Sequence, residues 1–256
     1  MNKKILFITV AFPPRLSPAS LRISSFSKEL KLQGFEIFVV TCNQKDDNKF
    51  EFKNNLDESK IVRIDYFDIF NLSRHLPFKL IRQIYTKLLS FFISPTGIFF
   101  PDLRFFFWRK KALSVCSDLI SKENIECVYT TFSPISTMIL GYKIKKKHPD
   151  IIWIAEYRDL WSLNHNVGKI KKRFAKFELM LEKKIVKDAN HVITVSKGLA
   201  NLLSNSLNRP VEVIYTGTSE KRFNQSPIYE FQFPEYQTYF FAIVSFTSPQ
   251  FNISSP

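Results

Sequence analysis

Ile5-Leu6-Phe7-Ile8-Thr9-Val10-Ala11, then a Pro- and Ser-rich loop, then Leu21 to Gln33 with Ile23, Phe26 and Leu30 at helical spacing, then Gly34 and Phe35-Glu36-Ile37-Phe38-Val39-Val40-Thr41-Cys42: this opening decides the fold. The two continuous apolar runs read as strands covered on both faces, which is the pattern of a parallel sheet. Gly34 stands where a helix ends on a left-handed residue. A strand, a helix and a strand in about forty residues predict a right-handed crossover between parallel neighbours.

The alternation continues along the chain. Further strands are expected near Ile61 to Tyr66, Cys127 to Thr131, Ile151 to Tyr157, His191 to Val195 and Val211 to Tyr215, with helices over Pro134 to Lys147, Lys169 to Ala189 and Lys197 to Ser206. That order predicts an α/β fold, a doubly wound, mostly parallel Rossmann-like sheet of about six or seven strands flanked by helices. No fixed-period repeat is present.

Composition bounds the function. The 256 residues are 45% hydrophobic and 15% aromatic, enough for one full core. The formal charge of +14 suits an anionic partner such as a membrane surface, a nucleotide, a nucleic acid or a phosphorylated substrate, or a solvated basic surface. Cys42, Cys116 and Cys127 lack C-x-x-C spacing, so neither a disulfide framework nor a zinc site is indicated, and a reducing cytosol fits. Met1 to Phe12 resembles a short secretory signal in outline, but Pro13 and Pro14 cut the apolar run far below the ~20 residues that span a bilayer. His75, His148, His165 and His191 form no ligand spacing, and no Ser/His/Asp order or H-E-x-x-H is present, which removes support for hydrolases and metalloenzymes.

Two stretches break the alternation. Residues 71 to 113 mix Phe and Leu with Lys and Arg, including Phe91-Phe92, Phe99-Phe100 and Phe105-Phe106-Phe107-Trp108-Arg109-Lys110-Lys111; they read either as a face for an anionic membrane or as helices packed under a loop. The second is the tail after Phe223, which holds no Lys or Arg. The first 222 residues carry all 37 basic and 21 of the 23 acidic residues, a formal charge of +16. Residues 1–222 are therefore expected to form the domain, and 223–256 a linker or the start of another domain, or a stretch read in a shifted frame.

In an open α/β sheet, chemistry belongs in the loops beyond the carboxyl ends of the strands. After the first strand come Ser17, Pro18, Ala19 and Ser20 at a helix start, where free N–H groups and hydroxyls suit a polar or anionic ligand; Ser20 capping the helix is the structural alternative. No G-x-G-x-x-G occurs, so a dinucleotide cofactor is not expected. After the fourth strand, Thr131 and Ser133 precede Pro134, suited to a helix start. After the fifth, Glu156-Tyr157-Arg158-Asp159-Leu160-Trp161-Ser162 concentrates two acids, a guanidinium and an indole. Arg158 suits a phosphate or carboxylate, Glu156 or Asp159 a proton from a sugar hydroxyl, and Trp161 a sugar face. An ion pair of Arg158 with Asp159 or Glu156 is the structural alternative. After the sixth strand, Ser196 is either a further donor or a helix cap.

Taken together, these runs resemble the N-terminal half of glycosyltransferase family 4 and its GT-B relatives. The matching pieces are Lys4 to Ile8, Phe12-Pro13-Pro14, Ser17-Pro18-Ala19-Ser20-Leu21-Arg22, Phe100-Pro101-Asp102 before an aromatic helix, Trp153 to Trp161, Glu182, Ala189-Asn190, Val192 to Ser196 and Val213-Ile214-Tyr215-Thr216-Gly217. The resemblance implies a retaining transfer of sugar from a nucleotide-activated donor, with no essential metal and no cofactor beyond the nucleotide-sugar co-substrate, in surface polysaccharide or lipopolysaccharide synthesis. It implies that a sugar or lipid-linked acceptor meets the N-terminal domain through Ser17, Pro18, Ala19, Ser20, Arg22, Thr131, Ser133, Trp161 and Ser196, with Glu156, Arg158 and Asp159 as candidate catalytic groups. Many relatives carry His at the Glu-Tyr-Arg-Asp run. The donor-binding domain should follow Gly217, so the chain is expected to be truncated and inactive alone; a free-standing module that pairs with a separate donor-domain chain is the alternative. Nucleic acid is not an expected partner, and the expected location is cytoplasmic, peripheral on the inner face of the membrane.

Overall fold

In the computed structural model, residues 3–15, 17–43, 56–66, 78–85, 87, 102, 105–163 and 169–215 are described, with the side chains of 169–174 excepted. The aromatic pairs at 91–92 and 99–100 and the tail 223–256 lie outside the described residues. Seven strands, β1 (Lys4–Ile8), β2 (Glu36–Cys42), β3 (Ile61–Ile64), β4 (Cys127–Phe132), β5 (Ile152–Tyr157), β6 (His191–Thr194) and β7 (Glu212–Val213), form one sheet. Its order is β3-β2-β1-β4-β5-β6-β7, and every pairing is parallel. The helices are α1 (Pro18–Leu32), α2 (Phe106–Glu123), α3 (Ile135–Lys147), α4 (Lys169–Val186) and α5 (Lys197–Leu207). A short helical stretch at 79–85 lies between β3 and α2.

Strand alternation sends successive side chains to opposite faces, so the core has two layers. Ile5, Phe7, Ile37, Val39, Tyr129, Ile154 and Ile193 pack with Ile23 and Leu30 of α1. Leu6, Ile8, Val40, Val128, Trp153, Ala155 and Tyr157 pack with Trp108 of α2, Met138 and Leu140 of α3, Ile185 of α4 and Leu203 of α5. Trp153 is fully buried and satisfies its indole N–H on Thr130 Oγ1 at 2.9 Å. Gly141 of α3 lies so close to that indole that no β-carbon fits between them.

The end of α1 follows the expected glycine signal. Gly34 has φ +86, Gly34 N–H donates to Lys31 O at 3.0 Å, and Phe35 N–H donates to Leu30 O at 3.0 Å. That pair of bonds is the Schellman arrangement, and it satisfies two orphan carbonyls of the last turn. The start of α1 differs from the expected Leu21: the helix begins at Pro18, whose fixed φ and missing N–H suit the first helical position. Strand β1 stops at Ile8 rather than Ala11, where the Thr9 side chain turns back and donates to Ala11 O at 3.1 Å. Strand β7 is only two residues long against the five expected from Val211 to Tyr215, because Ile214 makes the last sheet-edge bond, its N–H on Thr194 O at 2.8 Å. Helix α2, expected only as an aromatic helix after Asp102, runs through Glu123 and buries Trp108, Ala112, Cys116 and Ile120.

Candidate functional site

The carboxyl ends of β1, β4, β5 and β6 share one edge of the sheet. Strand β2 follows β1 outward on one side and β4 lies on the other, so the strand order reverses between β1 and β4. In doubly wound sheets that reversal opens a crevice between the loops leaving the two strands. Residues 9–15 leave β1 on one side of it and Ser133-Pro134 leave β4 on the other.

Ser17, Pro18, Ala19 and Ser20 form the first turn of α1. Ser17 is the N-cap, not Ser20: Ser17 Oγ accepts from Ser20 N–H at 3.1 Å, and Ser20 Oγ accepts from Ser17 N–H at 2.9 Å. This reciprocal box uses both hydroxyls, and Ser20 Oγ also donates to Arg15 O at 2.5 Å. Ser20 is fully buried as a result.

One turn on, Arg22 points into the core. Its Nε donates to Glu156 Oε1 at 2.5 Å, its Nη2 donates to Ile214 O at 2.7 Å, and its guanidinium lies 4.4 Å from the Phe26 ring centre. The two side chains are 2% and 0% exposed. Glu156 is therefore paired across 134 positions with Arg22, and Arg158 takes no part in that ion pair. The Tyr129 hydroxyl lies beside the same carboxylate, and burial, followed by the Glu156 charge, holds it well above the usual phenol range.

Arg158 turns to the other side. Its Nε donates to Thr131 Oγ1 at 2.9 Å and Phe132 O at 3.1 Å, and its Nη2 donates to Ser133 O at 3.1 Å. The structure thus brings Arg158, Thr131 and Ser133 together at the crevice. Thr131 is fully buried, Ser133 and Asp159 are exposed, and Arg158 is half-buried. Thr131 Oγ1 and the two carbonyls occupy Nε and Nη2, while Nη1 meets no acceptor among the described residues.

Trp161 and Ser196 stand apart from that group. Trp161 stacks on Phe132 with ring centres 6.1 Å apart and is 5% exposed, so its indole belongs to the core rather than to an open sugar platform. Ser196 caps α5, its Oγ accepting from Leu199 N–H at 3.3 Å.

Sequence reasoning gave no site role to three groups that shape this edge. Asp102 Oδ2 accepts from Ser136 N–H at 3.1 Å and so caps α3, whose own N-cap, Pro134, has no side-chain donor or acceptor. Glu182 of α4, 1% exposed, accepts from Ser162 N–H at 3.1 Å and anchors the loop after Arg158. Burial raises the Glu182 carboxyl above its ordinary range, and the bond from Ser162 opposes that rise. Thr194 Oγ1 donates to Tyr157 O at 2.7 Å, joining the ends of β5 and β6. The available signal for Arg22 was its helical phase: it lies one position before Ile23 and four before Phe26, on the inward stripe of α1.

A depression lined by Lys31, Glu36, Asp57 and Lys60 lies at the amino end of β2, on the edge away from these loops. Lys60 Nζ pairs with Glu36 at 2.9 Å there and holds the carboxyl below its ordinary range. Among the described residues, no group of three or more His, Cys, Asp or Glu side chains converges.

A family model described as Glycosyltransferase Family 4 matches residues 19–222. No curated protein matches the chain. Among solved structures, sucrose-phosphate synthase from Thermosynechococcus elongatus is similar over 87% of this chain and 94% of that one, at 14% identity and a TM-score of 0.50. A glycosyltransferase from Rickettsia africae ESF-5 matches over 89% of this chain and 46% of its own, at 14% identity and a TM-score of 0.46. The apo form of the lipopolysaccharide outer core galactosyltransferase WaaB matches over 84% of this chain and 46% of its own, at 14% identity and a TM-score of 0.45. This chain thus spans about half the length of the last two proteins. At 14% identity the likeness to the first is one of fold alone.

Proposed function

The chain belongs to glycosyltransferase family 4, and from that membership we propose that it carries the acceptor side of a retaining sugar transfer from a nucleotide-sugar donor, with the donor held mainly by a second domain. The observation supporting this most directly is the Arg158 guanidinium at the switch-point edge, tied to the loop after β4 and with Nη1 unoccupied among the described residues. A guanidinium fixed on one side presents its remaining N–H groups in a defined direction, the geometry that recognises a hydroxyl pair or an anionic acceptor group.

In this reading Arg158, the Ser133 hydroxyl and the exposed Asp159 carboxylate grip the acceptor. Asp159 orients the attacking hydroxyl and accepts its proton as that oxygen bonds to the anomeric carbon on the face the leaving group departs from, which retains the configuration. The bond to the nucleotide diphosphate breaks at the same carbon, and the charge of the leaving group is stabilised from the donor side. Glu156 acts one step back, through Arg22, as a positioning residue for the start of α1. Surface polysaccharide or lipopolysaccharide assembly is the pathway class we propose, on the inner face of a membrane.

The test is ligand-observed NMR on the purified chain with a panel of oligosaccharides and, separately, nucleotide sugars. Oligosaccharides are expected to bind and nucleotide sugars to bind weakly. Arg158→Ala should weaken oligosaccharide binding by roughly 10- to 100-fold, the range for losing a charge-assisted hydrogen bond. Nucleotide-sugar binding without oligosaccharide binding would make this a donor-side domain and overturn the assignment. Oligosaccharide binding with no transfer, even when a donor-binding domain is supplied, would favour a non-catalytic binding module.

A further inference from the structure

Among the described residues most large apolar side chains are covered, but Phe78, Leu80, Ile81 and Ile84 are 65%, 67%, 45% and 50% exposed. They fall within seven residues, in and beside the helical stretch 79–85. Together they present roughly 400 Å² of apolar surface, the size at which a patch marks an interaction site. Leu80, Ile81 and Ile84 share one side of a helical turn, while Lys79 and Arg82 project from the other. All five are exposed.

The sequence flanking this helix carries charge of one sign. From residue 69 to residue 101 there is no Asp or Glu, while Arg74, Lys79, Arg82 and Lys87 supply positive charge. Seven helical residues extend only about 10 Å, a third of a bilayer's hydrocarbon thickness, so the helix suits lying along an interface.

A second basic face provides a comparison. On α4, Lys176, Lys183 and Lys184 are exposed beside Phe177 and Met180, which are 38% and 60% exposed. There cations outnumber apolar groups, and the face reads as an ordinary solvated helix surface. At 78–84 apolar side chains outnumber cations by four to two, and an aqueous polyanion would leave them uncovered.

We propose that the helical stretch 79–85, with Phe78, is a docking face for an anionic lipid bilayer, its apolar side chains entering the headgroup boundary and its Lys79 and Arg82 pairing with lipid phosphates. This deepens the proposed membrane location but does not depend on the sugar-transfer reading, since lipid binding is measured without donor or acceptor.

The experiment is co-sedimentation of the full chain with vesicles of mixed phosphatidylglycerol and phosphatidylcholine, and with phosphatidylcholine vesicles alone. Binding is expected to the anionic vesicles and to fall as salt rises. Lys79→Gln with Arg82→Gln should weaken it about 25-fold, at roughly fivefold per cation. Ile81→Ser with Ile84→Ser should weaken it about tenfold or more, and circular dichroism should show both variants as folded as the parent, since these side chains are exposed. Lys183→Gln with Lys184→Gln on α4 should change binding less than twofold. Absence of binding, or equal losses from the α4 pair and the 79–85 pairs, would overturn the proposal. So would tighter binding of duplex DNA than of vesicles at the same salt, lost in the same 79–85 variants.

Discussion

Replacing Arg22 with Met tests the pair on which the α1 face of the sheet rests. The side chain is 2% exposed and its partner Glu156 is 0% exposed, so removing the guanidinium leaves a carboxylate in the core with no water to solvate it. Breaking a buried pair in this way costs about 3–5 kcal/mol. The lost bond to Ile214 O at 2.7 Å and the lost contact with the Phe26 ring push toward the upper end. For a domain of this size that is a fall in Tm of roughly 6–20 °C. Urea melts followed by tryptophan fluorescence report it well, because Trp108, Trp153 and Trp161 are all buried. The double variant Arg22→Met with Glu156→Leu should recover most of the loss, since a well-packed apolar pair replaces a buried ion pair at little net cost. A single variant that loses less than about 1 kcal/mol, or a double variant no better than the single one, would refute the reasoning.

Gly141→Ala drives a methyl group into the Trp153 indole and should destabilise the chain by about 1–3 kcal/mol or more, read as a lower urea midpoint with an unchanged slope. Glu182→Gln should gain on the parent as pH rises. The folded carboxyl titrates above its ordinary 4.5, so the stability it contributes is complete below the unfolded value and lost as pH rises through the folded one; a difference in urea midpoint that stays constant from mildly acid to neutral pH would refute this. Ser17→Ala removes the N-cap of α1 and should cost about 0.5–2 kcal/mol in the same melts.

The sheet was legible because β-branched and aromatic runs of five to seven residues have one stable use in a parallel sheet, burial on both faces. The centres of β1 to β6 fall where the runs predict, and their ends shift by one to three residues where side chains intervene, as Thr9 does after β1. The apolar stripe of α1 begins at Ile23 and predicts a later start, while the capping box of Ser17 and Ser20 starts the helix at Pro18. The partner of Glu156 was out of reach for a different reason. Strand parity puts Glu156 on the same face as Ile154 and opposite Tyr157, so it points under α1. Proximity in sequence favoured Arg158, and only the crossover geometry brings Arg22 to it. Trp161 looked like a sugar platform because an indole beside acids and an arginine suits one, but Phe132 at the end of β4 covers it.

Burial of charge is uneven over this fold. Among the described residues the buried charged side chains are Arg22, Arg109, Glu156 and Glu182. Arg22 and Glu156 join α1 to the carboxyl end of β5, Glu182 holds the loop that follows Arg158, and Arg109 lies near Asp102, which caps α3. All four therefore lie toward the edge where the strands end, and Arg22, Glu156 and Glu182 tie it together by hydrogen bonds. At the opposite edge the ion pairs of Lys4 with Glu123 and of Lys60 with Glu36 stay roughly a quarter to a third exposed. A buried charge costs stability relative to an apolar side chain of the same volume, so core stability alone does not account for this concentration. Fixed polar ties do what apolar contacts cannot: they hold loop backbone at set positions, through Ser162 N–H, Ser136 N–H and Ile214 O. Loops held in this way keep the Arg158 guanidinium aimed at the crevice, which is what the acceptor binding we propose for that edge would require.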